Sequence, residues 1–160
     1  MLVIEPIGGA GNLPYKLSLL KNSLCLTHAL LDNDESGRKA FQKAQDDSLL
    51  TIAACTMVTC KGMIDSEFED CIEVGIYEGA VQEKFGVRLD GRSFRSSKKW
   101  SERVKSAFMD QGKPWSENIL KSIKSVVSEE VVKKPHGCLS QHKRNSIDAL
   151  VEALEKKIRS

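Results

Sequence analysis

The sequence contains no apolar run that approaches the roughly 20 residues needed to cross a bilayer. Its first residues also lack the basic segment and the apolar core of a secretory signal peptide. Hydrophobic residues make up 41% of the 160 positions and charged residues 29%, as in ordinary soluble domains. We therefore expect a cytoplasmic protein with no membrane segment, long enough for one domain with a sizeable core.

The sequence has no second cysteine pair that would complete a zinc site. The five cysteines are odd in number and irregular in spacing, which argues against a disulfide framework. Cys55 and Cys60 form a close pair in sequence, but a structural zinc site needs four ligands. We expect reduced thiols, as in a cytoplasmic protein.

The sequence also lacks a P-loop, because no G-x-x-x-x-G-K-[ST] segment occurs in it. It does have a glycine-rich segment, Gly8-Gly9-Ala10-Gly11-Asn12, after a predicted strand at Met1–Ile7. Glycines permit positive φ and a close approach of the backbone to a ligand. A tight strand-to-helix turn explains them equally well.

The stretch from Leu24 to Ala44 is the most informative one. An apolar run, Cys25–Leu31, precedes Asp32 and Asp34, and a helical pattern begins after Gly37. This order predicts a buried strand that delivers two carboxylates to its carboxyl end, where open α/β sheets bind ligands. Residues i and i+2 of an extended segment point to the same side, so both carboxylates can share a divalent cation. The sequence thus predicts a Mg²⁺ or Mn²⁺ site.

The same acidic stretch has a structural interpretation. The segment Asp-Asn-Asp-Glu-Ser-Gly, residues 32–37, is also typical of a turn that caps the N-terminus of a helix. Both interpretations remain open at this point.

The order of the predicted elements indicates an α/β fold. Helices are predicted over Leu13–Ser23 and from Gly37 to about Gln45, and a third apolar, β-favouring run extends from Leu49 to Val58. Alternating strands and helices predict a parallel sheet of about three strands, with right-handed crossovers and helices on its faces.

A group of acids follows this predicted sheet. A helix capped by Asp65 or Ser66 is predicted to run to about Phe85. The acids of its first turn are Glu67, Glu69 and Asp70. The helix dipole favours acids in that position. Alternatively, they approach the same strand ends as the first acidic pair and provide a two-metal site.

Charge is distributed unevenly along the chain. Residues 1–87 carry seven Lys/Arg against thirteen Asp/Glu, a net charge of −6, and residues 88–160 carry seventeen against nine, a net charge of +8. An acidic half that binds metal and a basic half that binds a polyanion would suit a nucleic-acid enzyme. Lysine-rich helices also serve solubility alone.

The basic half is predicted to be helical. After a loop over Gly86–Lys98, three amphipathic segments predict helices: Lys98–Gln111, Trp115–Lys134 and Ser146–Ile158. We therefore divide the domain into an α/β core, 1–86, and a basic helical part, 87–160.

These motifs resemble the Toprim nuclease module of the OLD (overcoming lysogenization defect) family. The matching residues are Gly8-Gly9-Ala10-Gly11-Asn12, Asp32-x-Asp34-x-x-Gly37, Ser66-Glu67-Phe68-Glu69-Asp70 and Lys124. The family includes Gabija-type anti-phage endonucleases, in which an ABC-type ATPase precedes a C-terminal Toprim domain. The resemblance implies a metal-dependent DNA endonuclease with two Mg²⁺ or Mn²⁺ ions.

The resemblance also implies roles for individual residues. It makes Asp32 and Asp34 metal ligands, with Asp32 central to catalysis, and it makes an acid among Glu67, Glu69 and Asp70 a ligand of the second ion. It places a lysine near the scissile phosphate, for which Lys124 is the better match and Lys121 the rival. Candidate DNA contacts on the basic helices are Lys98, Lys99, Arg103, Lys105 and Lys121.

One part of the family pattern is missing from this sequence, namely a first strand that ends in Glu-Gly-x-x-Asp. Three explanations remain open: a fragment of a longer ATPase-nuclease, a first strand supplied by another polypeptide or a second copy, or a truncated product without activity. The expected partners are DNA, an ABC-type ATPase region in cis or in trans, and further copies of the chain in a homo-oligomer.

Two other functions are compatible with these residues. The chain could be a non-catalytic module that binds nucleic acid or a protein through its basic helices. A receiver-like or primase-like use of the acids ranks lower, because the phosphoacceptor arrangement and the other primase domains are missing from the sequence.

Overall fold

The computed structural model describes residues 2–159, which divide into two compact units. The first unit comprises residues 2–59 and 146–159, and the second comprises residues 60–145. The division at residue 86 that the sequence suggested stays a prediction. Within residues 2–159, no helix combines the length and the apolar character that a membrane span requires.

The described residues form an α/β structure with six helices and a small parallel sheet. The strands are β1 (Ala29–Asp32) and β2 (Cys55–Val58). The helices are α1 (Leu13–Leu20), α2 (Glu35–Asp46), α3 (Glu78–Phe85), α4 (Trp100–Asp110), α5 (Glu117–Lys133) and α6 (Asn145–Arg159).

The first unit contains the β1–α2–β2 crossover that the sequence predicts. β1 and β2 are parallel, and their register runs from Ala29 opposite Cys55 to Asp32 opposite Val58. The apolar face of α2 packs with α1 and β1 in a core that buries Leu13, Leu17, Leu31, Ala40, Ala44 and Leu50. The parallel strands, α1 and α2 are therefore confirmed, but both strands are shorter than predicted. β1 begins only at Ala29, and β2 begins at Cys55, after a 3-10 turn over Ile52–Ala54 that lies inside the predicted run.

The predicted N-terminal strand is not formed in the described residues. Residues 2–7 have no regular secondary structure, and Met1 lies outside the described residues. Leu2, Val3 and Ile4 are exposed and do not belong to the buried core. Pro6 also has no N–H for a sheet ladder. The described sheet consequently has two strands and not three.

The second unit is largely helical and is built around Trp100, which is fully buried. Its core also includes Tyr77, Val104, Phe108 and Ile123. The helices α4 and α5 of this unit confirm two of the predicted helices of the basic half. The third is confirmed by α6, which belongs to the first unit except for Asn145.

The long helix predicted from Asp65 or Ser66 to Phe85 is wrong over its first half. Two short 3-10 turns, Phe68–Cys71 and Val74–Ile76, precede α3. Between these turns, Ile72 forms an isolated antiparallel bridge with Leu139, which requires extended backbone. Tertiary pairing therefore overrides the helical pattern of the sequence.

Candidate functional site

Asp32 and Asp34 lie at the carboxyl end of β1, as the sequence predicts. Asp32 is the last residue of the strand, and Asp34 is the N-cap of α2. The Asp34 Oδ1 atom accepts a hydrogen bond from the Gly37 amide at 2.9 Å. The capping interpretation of residues 32–37 is thus confirmed for Asp34. It leaves the metal hypothesis open, because a carboxylate offers about four lone-pair sites.

Gly37 allows this acidic turn to be compact. A Cβ atom at Gly37 would overlap the carbonyl oxygen of Asp32 and would lie 3.1 Å from its carbonyl carbon. The same Cβ would lie 3.6 Å from Asp34 Oδ1. The backbone of α2 therefore approaches the end of β1 more closely than any residue with a side chain allows. We call residues 32–37 the acidic turn.

Glu67 and Asp70 are buried in the second unit and cap α4 from another part of the chain. Asp70, 2% exposed, accepts through Oδ2 from the amides of Glu67 at 2.8 Å and Trp100 at 3.1 Å. Glu67, 5% exposed, accepts from the Ser101 amide at 2.7 Å and the Ser101 hydroxyl at 2.9 Å. Lys99 lies 3.2 Å from Glu67 Oε1. We call these two carboxylates the α4 cap. They accept hydrogen bonds from backbone amides that the first turn of a helix leaves unpaired.

Arg103 belongs to the same buried network. Its guanidinium forms an ion pair with Asp70, donates to the Phe94 carbonyl at 2.8 Å and lies over the Phe94 ring at 4.7 Å from the centroid. The side chain is 7% exposed. The sequence placed Arg103 among the DNA contacts, whereas the structure gives it a buried structural role.

The periodicity of α4 could have revealed this burial. The buried positions of the helix are Trp100, Arg103, Val104, Ala107 and Phe108. They follow the spacing i, i+3, i+4, i+7, i+8 of a single helix face. Arg103 therefore lies inside the apolar stripe, and a buried acid to pair with it was to be expected.

Glu69 and Lys124 are brought together in the second unit. Lys124 Nζ lies 3.0 Å from Glu69 Oε1 and 5.7 Å from the centroid of the Trp100 ring. The Oε2 atom of Glu69 is buried and has no hydrogen-bond partner among residues 2–159. Lys121, the rival lysine, is exposed on α5. Of the two lysines, Lys124 is the one that contacts a predicted ligand.

The other predicted basic contacts differ in their exposure. Lys98, Lys105 and Lys121 are exposed, and Lys99 is half-buried against Glu67.

Asp32 and Asp34 belong to the first unit, and the acids at 67–70 belong to the second. The convergence of the two acid groups stays a prediction.

Within residues 2–159, His, Cys, Asp and Glu side chains do not form a group of three or more that could hold a metal ion. Mg²⁺ in proteins is commonly held by one or two carboxylates, with waters and substrate phosphates as the remaining ligands. Asp32 and Asp34, two of the carboxylates in the acidic turn, are ligands of this type.

Burial also changes the acidity of two side chains. It raises the pKa of the Cys55 thiol to about 11, so this cysteine on β2 remains protonated at neutral pH. Burial likewise raises the pKa of Tyr77, whose hydroxyl accepts a hydrogen bond from Trp100 Nε1 at 3.0 Å. Neither group is suited to act as a nucleophile or a base at neutral pH.

We expect Lys124→Met to lower the free energy of unfolding by about 1–3 kcal/mol, because Glu69 would be left mostly buried without its cation. Lys121→Met is the matched control on the same helix, and we expect it to change stability by less than about 0.5 kcal/mol. Urea unfolding of both variants measures the difference. Equal changes in the free energy of unfolding of the two variants would show that the Glu69–Lys124 pair contributes nothing to stability.

Comparisons of the chain with protein-family models, with curated proteins and with solved structures gave no match.

Proposed function

We propose that this chain is a metal-dependent DNA endonuclease module of the Toprim type found in OLD-family ATPase-nucleases. The observation that carries the proposal is the acidic turn: Asp32 ends a parallel strand, and Asp34 caps the helix that follows. The carboxyl ends of parallel strands are where α/β sheets bind their ligands. The Asp-x-Asp-x-x-Gly order of the turn is also what the family resemblance rests on.

The donor set of the turn fits a hard divalent cation. Asp32 and Asp34 supply carboxylate oxygens, and Gly37 keeps the two residues close to the start of α2. When bound, Mg²⁺ or Mn²⁺ would polarise the scissile phosphodiester and lower the pKa of a water molecule. The α2 N-terminus would add positive potential where an anion approaches.

Among the acids at 67–70, Glu69 is the best candidate for a second ion. Its buried Oε2 atom has no hydrogen-bond partner in the described part of the chain, whereas the carboxylates of Glu67 and Asp70 accept several hydrogen bonds in the α4 cap. We therefore assign Glu67 and Asp70 to structure. Lys124, beside Glu69, would balance the negative charge that develops on the phosphate during cleavage.

The proposal includes DNA as the substrate and other segments as partners. The exposed lysines at positions 98, 105 and 121 would contact phosphates as point charges. A strand with Glu-Gly-x-x-Asp and an ABC-type ATPase region, supplied in cis or in trans, would complete the nuclease. Assembly into a homo-oligomer is part of the same proposal.

The test is a calorimetric titration of the chain with Mn²⁺. We expect Asp32→Ala to weaken binding by at least about tenfold, because the proposed site loses one of its two carboxylate ligands. Asp46→Ala removes an exposed acid from the last turn of α2 and should leave binding unchanged. If Asp32→Ala binds Mn²⁺ as tightly as the unchanged chain, the assignment is wrong.

The second candidate function is a non-catalytic module that binds DNA or a protein. The observation in its favour is that Asp34, Glu67 and Asp70 all cap helices, so these acids have structural reasons to be present. This alternative predicts DNA binding that weakens steeply with salt and is the same in Mn²⁺ and in EDTA. The nuclease proposal instead predicts nicking of plasmid DNA in Mn²⁺ once the upstream strand is supplied.

A further inference from the structure

Two cysteine thiols face each other in the interior of the second unit. The Sγ atoms of Cys60 and Cys71 are 3.8 Å apart, and the two residues are 4% and 0% exposed. A disulfide has an S–S distance of about 2.05 Å, so its formation would require a local shift of about 2 Å. We propose that Cys60 and Cys71 are a redox-active pair, which a hydroperoxide converts into a disulfide. This inference goes beyond the proposed nuclease function and does not depend on it.

Cys71 is held firmly on its side of the pair. Its thiol donates to the Lys143 carbonyl at 3.3 Å, and its own carbonyl accepts from the Ser140 amide at 2.8 Å. In the contact between the two thiols, either sulfur can be the donor. The position of Cys71 is thus fixed by two contacts with the same segment, residues 140–143.

Cys60 is held less tightly, because its thiol lies 4.0 Å from the same Lys143 carbonyl oxygen, although its own carbonyl accepts from the Met63 amide at 3.1 Å. It is followed directly by Lys61 and Gly62, which are exposed and form a turn, and Gly62 has a φ of +82°. Only glycine adopts this conformation without a steric cost, so the turn can rearrange with little strain elsewhere. We expect Cys60 to make most of the movement that closes the gap, and opening of this turn to admit the oxidant.

The chemistry balances with a hydroperoxide as the oxidant. One thiolate attacks the peroxide oxygen, the O–O bond breaks, and a sulfenic acid and hydroxide form. The second thiol then attacks the sulfenic sulfur, an S–S bond forms, and water leaves with the proton of that thiol. Two thiols lose two electrons in total, and one hydrogen peroxide molecule is reduced to two water molecules.

The location of the pair gives its oxidation a local consequence. The bond would close a loop between residues 60 and 71 that contains Glu67, Glu69 and Asp70. Asp70 precedes Cys71 directly and accepts the hydrogen bond of the Trp100 amide. Because one peptide bond joins Cys71 to Asp70, a shift of Cys71 also moves Asp70 and so disturbs the α4 cap.

The experiment treats the reduced, folded chain with equimolar hydrogen peroxide, blocks remaining thiols with an alkylating reagent after denaturation, and maps tryptic peptides by mass spectrometry. Trypsin leaves Cys55 and Cys60 in one peptide, residues 44–61, and Cys71 in the next, residues 62–84. Cys55→Ser is therefore the matched control that makes the assignment unique. Because the unchanged chain gives the primary result, the test does not depend on the folding of any variant.

We expect a single disulfide between these two peptides, with the loss of two hydrogen atoms and full reversal by dithiothreitol. It should persist in Cys55→Ser and disappear in Cys60→Ser. Recovery of Cys60 and Cys71 as alkylated thiols or as sulfinic and sulfonic acids would overturn the proposal. A linkage that disappears in Cys55→Ser would also overturn it.

Discussion

Asp70→Asn will lower the free energy of unfolding of the second unit by about 3–5 kcal/mol. The substitution keeps the shape of the side chain and removes its charge, so the Arg103 guanidinium remains buried without its partner. The asparagine amide also brings donors toward a group that has only donors. Urea unfolding followed by Trp fluorescence measures this loss, because Trp100 is fully buried beside the substituted site.

Two controls separate the buried charge from a general effect of substitution. Asp90→Asn changes an exposed acid of the same unit and should shift stability by less than about 0.5 kcal/mol. The double variant Asp70→Asn with Arg103→Met removes both charges, and we expect it to regain a large part of the loss. A loss below about 1 kcal/mol in Asp70→Asn would contradict the role of this ion pair in the core.

Gly37→Ala should destabilise the first unit by about 3 kcal/mol, the upper end of the range for overpacking. The added Cβ would overlap the Asp32 carbonyl oxygen, which is backbone and cannot rotate away. The end of β1 and the start of α2 would have to separate. Because this movement also separates Asp32 from Asp34, we expect Mn²⁺ binding to weaken in the same variant.

Gly79→Ala is the matched control for this substitution. Gly79 also lies in the first turn of a helix, α3, and a Cβ there would meet no atom within 4 Å. Alanine should therefore stabilise the chain by about 0.4–1 kcal/mol, because it restricts the unfolded chain. Thermal unfolding by circular dichroism compares the two variants. Similar behaviour of both would show that the turn is less compact than the structure indicates.

The first unit was largely predictable because its signals are local. The apolar run before Asp32, the capping residue Asp34 and the glycine at position 37 all lie within one short stretch, and they predicted the end of β1 and the start of α2. The N-terminal strand failed for the opposite reason. A β-favouring sequence forms a strand only where it finds a neighbour, and residues 2–7 pair with no strand of the described sheet.

The second unit was less predictable because its acids have distant partners. Asp70 accepts from Trp100, which lies 30 residues later in the chain, and this contact could not be inferred from the acidic segment itself. The acidic segment was therefore interpreted as the start of an ordinary helix. Arg103 was a different kind of error, since the spacing of α4 already placed it on the buried face.

The most direct test of the metal assignment is a titration of the ¹⁵N-labelled chain with Mn²⁺, followed by NMR. Paramagnetic broadening falls steeply with distance, so it locates the ion without requiring activity. We predict that the amide signals of residues 32–37 disappear first in the unchanged chain and persist in Asp32→Ala. Broadening that spares the acidic turn, or that is the same in Asp32→Ala, would contradict the assignment.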